Sequence, residues 1–174
     1  MRLEGKHLVV VGGSSGIGLE TARLALAAGA SVTIAGRSES RLRRATENLH
    51  ASRGVGQAGG RVKPVVADVT DESSVRALFE DEPRVDHLFL PAGEFRPGDG
   101  DVLTADLIGL RSILESRLLG VAHVVRHARP RIVGGSITLM SGLYAIRPAR
   151  GGAFAADASS RRRSATTPTP GTGG

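Results

Sequence analysis

Val9-Val10-Val11-Gly12-Gly13-Ser14-Ser15-Gly16-Ile17-Gly18 decides how this chain is read. Three uncharged β-branched residues in a row suit a strand buried on both faces. The glycines then break the pattern. From Ile17 the apolar period becomes helical, with Ile17, Thr21, Leu24, Ala25 and Ala28 expected on one face. A strand, a glycine turn and a helix start present backbone N–H groups to an anion, and the helix dipole favours negative charge there. Gly12 suits a turn conformation closed to L-residues. Gly16 lets a pyrophosphate approach, and Gly18 lets the helix pack close to the strand. Ser14, Ser15 and Ile17 complete this candidate phosphate cradle. The spacing is Gly-x3-Gly-x-Gly rather than Gly-x-Gly-x-x-Gly, and three glycines also serve an ordinary tight turn. The strand before, the helix after and the second strand beyond point to the ligand.

Working outward, Ser31 to Ala35 reads as a second strand and Gly29 as the cap ending the first helix. Ser38 is the expected N-cap of a helix over Glu39 to Leu49. Val62 to Ala67 is a third strand, and Thr70 is the expected cap of a short helix through Phe79. Val85 to Leu90 is a fourth strand. Thr104 to Ala128 reads as one long helix or two abutting ones, weakened at Gly109 and Gly120. Ser136 to Met140 is a fifth strand. Alternating strands and helices predict right-handed crossovers and a doubly wound parallel α/β sheet of Rossmann-like type. Ligands on such sheets sit at the carboxyl ends of the strands, here marked by Gly12, Arg37, Asp68, Gly93 and Ser141.

The chain has 174 residues, enough for one domain with a core. The expected domain covers residues 1–156. Residues 157–174 are dominated by Arg, Ser, Thr, Pro and Gly and are expected to be disordered. There is no cysteine, so thiol nucleophiles and thiolate metal sites are excluded. No apolar run approaches a membrane span and no signal-peptide layout is seen, so a membrane partner is not expected and the expected compartment is the cytoplasm. A net charge of +6 invites a nucleic-acid reading, but one Tyr and no Trp leave nothing to stack on bases. Nucleic acid is therefore not an expected partner. His123 and His127 stand at helical i, i+4 spacing, yet no third ligand is evident beside them, and no metal is expected.

The glycine stretch resembles the cofactor loop of the short-chain dehydrogenase/reductase family, Thr-Gly-x3-Gly-Ile-Gly, with Val11 where that family usually has Thr. The resemblance covers roughly Leu3 to Ala156 and implies a nicotinamide coenzyme and a small carbonyl or alcohol substrate. Gly36 takes the place of the acid that holds a ribose 2′-hydroxyl, and Arg37 follows it. A guanidinium there suits a 2′-phosphate, so NADP(H) is the expected coenzyme. Asp68-Val69 matches the family's adenine contact, although Asp68 equally suits the start of the next helix. Leu90-Pro91-Ala92-Gly93 lies where the family has Asn-Asn-Ala-Gly; Ala92 and Gly93 match and neither Asn does.

The family's catalytic set is a Ser, a Tyr thirteen residues on, a Lys four beyond it, and an Asn in the preceding helix. Ser141 matches the Ser. Phe154 falls at the Tyr, Ala158 at the Lys and Arg117 at the Asn. Phe has no proton to give and Ala no charge. Tyr144 is an alternative proton donor, three residues past Ser141, with a structural Tyr as the competing reading. Three function classes stay open: an NADP-linked oxidoreductase, a dinucleotide-binding module without turnover and, as a distant rival, a basic nucleic-acid binder. The family pairs through its long helices, which implies a homo-oligomer. The expected fold is incomplete, lacking the family's later strands. A coding frame shifted near Asp157 would account for that.

Overall fold

The computed structural model describes residues 3–52, 60–82, 84–91 and 106–140. Five parallel strands form one sheet in the order β3-β2-β1-β4-β5: β1 His7–Val11, β2 Ser31–Gly36, β3 Val62–Val66, β4 Val85–Leu90 and β5 Ile132–Leu139. The helices are α1 Gly16–Ala27, α2 Glu39–Ala51, α3 Glu72–Glu80, α4 Leu107–Leu114 and α5 Gly120–Ala128. The strand order turns back at β1, which makes the gap between β1 and β4 the switch point of the sheet. The chain divides into two compact units, Met1–Glu94 with Ile113–Met140, and Phe95–Ser112 with Ser141–Gly174. In the second unit, the described residues are the start of α4, where the Asp106 carboxylate accepts from the amides of Ile108 and Gly109, each at 3.2 Å.

Strand alternation sorts the core of the first unit into two layers. Leu8, Val10, Val32 and Ile34 face Ala22, Ala25 and Leu26 of α1 and Leu42, Ala45 and Leu49 of α2. Val9, Val11, Ala35, Leu88 and Leu90 face Val75, Leu78 and Phe79 of α3 and Val124 and Ala128 of α5. Helices therefore cover both faces, as right-handed crossovers from this strand order require.

The structure corrects several expectations in detail. The buried face of α1 is Gly18, Ala22, Ala25 and Leu26, while Ile17 and Leu24 are 59% and 55% exposed. Small residues let the helix come close to the sheet, so bulk did not mark the inner face. The C-cap of α1 is Ala28. Gly29 follows it in the left-handed region (φ 92°), with Gly29 N–H donating to Leu26 O and Ala30 N–H to Ala25 O, each at 3.0 Å. Ser38 does cap α2, accepting from Arg41 N at 3.4 Å. At α3 the cap is Asp71, not Thr70; its carboxylate accepts from Ser73 N at 2.9 Å. Aspartate's paired oxygens take that amide, while Thr70 is drawn back to Asp68.

The long helix is interrupted: α4 runs into a π turn, Glu115–Leu119, before α5. β5 starts four residues earlier than expected. Its register against β4 jumps between Val85↔Ile132 and His87↔Ser136, and Gly134 takes a positive φ of 69° in the bulge. No helix among the described residues is long and apolar enough to cross a membrane.

Asp86, at the start of β4, is buried and ties the start of that strand to the start of β1. It accepts from His7 N at 3.0 Å, Arg84 Nη2 at 2.9 Å and Lys6 Nζ at 3.3 Å. Burial alone would raise its pKa; the His7 amide, the Arg84 guanidinium and the Lys6 ammonium outweigh that and bring it to about 2. A depressed carboxylate stabilises the fold above its unfolded value of about 3.9 and loses that contribution as pH falls towards the folded value. Asp86→Asn is expected to cost roughly 2 kcal/mol at neutral pH and to flatten the acid limb of stability between about pH 4 and 2. Denaturant titrations over that range measure both; an unchanged acid limb would contradict the assignment.

Candidate functional site

The glycine turn between β1 and α1 is held by backbone rather than side chains. Gly12 and Gly13 N–H both donate to Ala35 O, at 2.8 and 3.2 Å, which hangs the turn on β2. Gly12 has φ 100° and Gly16 φ 54°, conformations that favour glycine. A Cβ on Gly13 would lie 2.8 Å from Ile34 Cγ2. A Cβ on Gly18 would overlap the Gly12 carbonyl, 2.9 Å from its carbon, and sit 3.1 Å from Pro91 Cγ. The head of α1 is thus pressed onto the end of β1 and against the end of β4.

Gly16 differs from Gly13 and Gly18. A Cβ there meets nothing within 4 Å, so its face is open. Ser15 is the N-cap of α1 but its side chain makes no capping bond. Among the described residues, no acceptor is bonded to the amides of Gly16, Ile17 or Gly18. Three N–H groups at a helix N-terminus, beside an open glycine, fit a diphosphate. The residues present therefore suit a dinucleotide's phosphates.

The neighbouring strand ends gather round this turn. A Cβ on Gly36 would lie 3.5 Å from Ser14 Oγ, so β2 ends against the turn. Ala67 N–H donates to Gly36 O at 3.0 Å and brings up β3. Arg37 is exposed at the head of α2, next to the Ser38 cap. Asp68 follows β3; its Oδ1 accepts from Thr70 N at 2.9 Å and Thr70 Oγ1 at 2.8 Å, closing the turn before the Asp71 cap. Of the two roles expected for Asp68, the local one is present in this geometry. Val69 packs against Gly120, whose Cβ would lie 2.8 Å from Val69 Cγ2, and Val69 O is bonded to His123 Nδ1 at 3.0 Å.

Ala92, Gly93, Ser141 and Tyr144 lie outside the described residues, as do Phe154 and Ala158. Arg117 sits in the middle of the π turn, partly buried, and loss of water lowers its pKa. His123 and His127 turn towards α3. His127 Nε2 lies 3.1 Å from Glu72 Oε1, Arg126 Nη1 donates to the same oxygen at 3.1 Å, and His123 Nε2 is 4.0 Å from Glu72 Oε2. The His127 contact first, then Arg126, holds Glu72 below the usual carboxylate range. These residues lock α3 to α5.

Sequence reasoning missed Pro91 as the residue that limits the space above Gly18, and Ser14 as the neighbour of Gly36. Both contacts join segments far apart in the chain, and no local pattern signals them.

Comparison with known proteins places this geometry. The family model described as short chain dehydrogenase matches residues 6–155. The chain is 31% identical over 132 residues to short-chain dehydrogenase reductase 5 of Arabidopsis thaliana, covering 76% of this chain and 49% of that protein. It is 34% identical to (+)-borneol dehydrogenase 1 of Salvia officinalis, covering 73% and 47%. A short-chain type dehydrogenase/reductase structure from Mycobacterium ulcerans superposes with TM-score 0.83 at 26% identity, covering 92% of this chain and 60% of that one. The chain thus spans about half the length of these two curated relatives.

Gly18→Ala is expected to force the head of α1 away from Gly12 and cost about 1–3 kcal/mol, as overpacking does. Gly16→Ala, with open space but a positive φ, is expected to cost about 1 kcal/mol. Thermal melts of the two variants check the order; a milder effect at Gly18 would contradict the packing described.

Proposed function

Because this chain belongs to the short-chain dehydrogenase/reductase family, we propose that it binds NADP(H) at the carboxyl edge of its sheet and serves hydride exchange with a small carbonyl or alcohol. The observation that supports this most is the group of unbonded amides at Gly16, Ile17 and Gly18 beside the open face of Gly16. When bound, the coenzyme supplies a hydride to a carbonyl carbon or accepts one from an alcohol.

The chain's own residues then do the following. The turn amides hold the diphosphate at the positive end of α1. Arg37, exposed at the head of α2, would hold the 2′-phosphate of the adenosine ribose. Gly36, in van der Waals reach of Ser14, leaves no carboxylate to repel that phosphate or to select a 2′-hydroxyl. Asp68, whose Oδ1 already takes Thr70, and Val69 border the adenine. Ala92 and Gly93, which match the family's Ala-Gly, would hold the nicotinamide side through their backbone. Ser141 donates its hydroxyl to the substrate oxygen. The proton that accompanies the hydride has no donor at Phe154, and Tyr144 is the alternative source.

A second reading rests on Phe154 and Ala158 standing at the family's Tyr and Lys places: a module that binds NADP(H) and does not turn over. Quenching of NADPH fluorescence by the protein is expected under both readings. Loss of reduced-nicotinamide absorbance with a panel of small ketones separates them. The cytoplasm is the proposed compartment, where a chain without cysteine needs no oxidative pairing. Exposed Leu114 and Leu118 support pairing of two copies through the helix that carries them.

Charge-assisted bonds to a phosphate are worth about 1.5–3 kcal/mol. Arg37→Asp is accordingly expected to weaken NADPH binding roughly 10- to 100-fold and NADH binding much less. Fluorescence titration with each coenzyme measures the two losses. Equal losses would contradict the 2′-phosphate assignment, and absence of binding by the unaltered protein would contradict the coenzyme reading itself.

A further inference from the structure

Asp68 and Val69 follow the end of β3, and two sets of bonds hold them. The first set is local. Asp68 Oδ1 accepts from the Thr70 amide and hydroxyl, Asp68 O accepts from Asp71 N at 3.1 Å, and Asp68 N–H donates to Ser74 Oγ at 3.1 Å. The second comes from α5, 54 positions along the chain. There the His123 ring lies with Nδ1 3.0 Å from the Val69 carbonyl oxygen. A carbonyl oxygen only accepts, so Nδ1–H is the donor. Gly120 brings the helix this close. A Cβ on it would fall 2.8 Å from Val69 Cγ2 and 3.2 Å from Val69 O.

The Val69 carbonyl and the Thr70 N–H belong to one planar peptide group. His123 holds the carbonyl end of that plane and the Asp68 carboxylate holds the N–H end. Freeing the carbonyl lets the plane turn, and the carboxylate turns with it. Two groups of this segment remain open. Among the described residues no acceptor is bonded to the Val69 N–H, and Asp68 Oδ2 takes no hydrogen bond. A donor and an acceptor on adjoining residues suit adenine, which offers a ring-nitrogen acceptor beside an amino donor. We infer that His123 is a positioning residue for the adenine end of the coenzyme, acting through the Val69 carbonyl; this rests on the coenzyme reading given above.

The competing role for His123 is to join α3 to α5. Its other ring nitrogen, Nε2, is 4.0 Å from Glu72 Oε2. That junction already has two closer members, His127 Nε2 and Arg126 Nη1, each 3.1 Å from Glu72 Oε1. The Val69 carbonyl has no second partner among the described residues. Loss of His123 therefore leaves the helix junction in place and strips the carbonyl, which sits under Gly120 where an unmade bond is costly. The effect falls on the segment that borders the adenine, and not on the amides of the glycine turn.

Fluorescence titration of the full chain with NADPH, and with its analogue carrying hypoxanthine in place of adenine, reads the effect. Hypoxanthine puts a carbonyl where adenine has its amino group, so the unaltered protein is expected to prefer NADPH. His123→Leu is expected to weaken NADPH roughly 3- to 10-fold, the range of one hydrogen bond, and the analogue less, so that the preference shrinks. His123→Asn places an amide nitrogen about where Nδ1 stands and is expected to restore the preference. His123→Gln extends its amide towards the Nε2 place and is not. His127→Ala loosens the Glu72 junction alone and is expected to lower the melting temperature with the preference intact. An unchanged preference in His123→Leu overturns the inference, as does a lost preference in His127→Ala. Should His123→Leu fail to fold, the Asn and Gln variants decide it, and equal preference in those two overturns it. NADPH binding with no preference for adenine overturns the inference and leaves the coenzyme reading standing; no binding by the unaltered protein overturns both.

Discussion

The close seating of Gly18 on the Gly12 carbonyl is the constraint from which the rest of the site follows. No side chain separates the first turn of α1 from the end of β1. The turn between them therefore has one course, tied by Gly12 and Gly13 to Ala35 of β2 and bounded by Pro91 at the end of β4. That course leaves the amides of Gly16, Ile17 and Gly18 without acceptors among the described residues. A helix N-terminus would ordinarily satisfy one of those amides with its own capping side chain, and Ser15 does not. The local sequence has given up a stabilising bond at the place proposed for the diphosphate.

The two edges of the sheet divide the physical work. The carboxyl edge is built from glycines and backbone, with Arg37 exposed and Asp68 half-buried at its margin. The amino edge is closed by charge: Asp86 among Lys6, Arg84 and the His7 amide, and Glu82 among Lys63, Thr33 and the His7 ring. β1 joins them, carrying His7 at one end and leading into Gly12 at the other. Between the edges, two apolar layers separated by a single sheet supply the bulk of the burial.

The strands of this fold were largely legible because parallel strands buried on both faces appear as apolar runs, as at Val9-Val10-Val11 and Leu88-Phe89-Leu90. Capping of α2 by Ser38 was legible because it depends on residues four apart at most. What escaped depends on distance or on the absence of bulk. The inner face of α1 is marked by Gly18, Ala22 and Ala25, and closeness of approach cannot be read from hydrophobicity. The early start of β5 hides behind Gly134 and Gly135, residues that weaken a strand pattern and here serve a bulge. The π turn over Glu115–Leu119 has no composition of its own. The pairing of Glu72 with His127, and of Glu82 with His7, joins residues more than fifty positions apart. The glycine turn was legible for a different reason: its glycines are required by backbone geometry, and that requirement is written locally.

Membership in the family accounts for the sheet and the turn, and leaves the chemistry of this chain to the residues it carries. Phe154 and Ala158 bear on turnover, whereas the β1–α1 turn and Arg37 bear on the proposed binding. The most direct measurement is amide NMR of the folded protein titrated with NADPH. Saturable shifts centred on Gly16, Ile17 and Gly18, with Arg37 moving in step, are the predicted result. A folded protein whose turn amides stay in place at millimolar coenzyme would contradict the account.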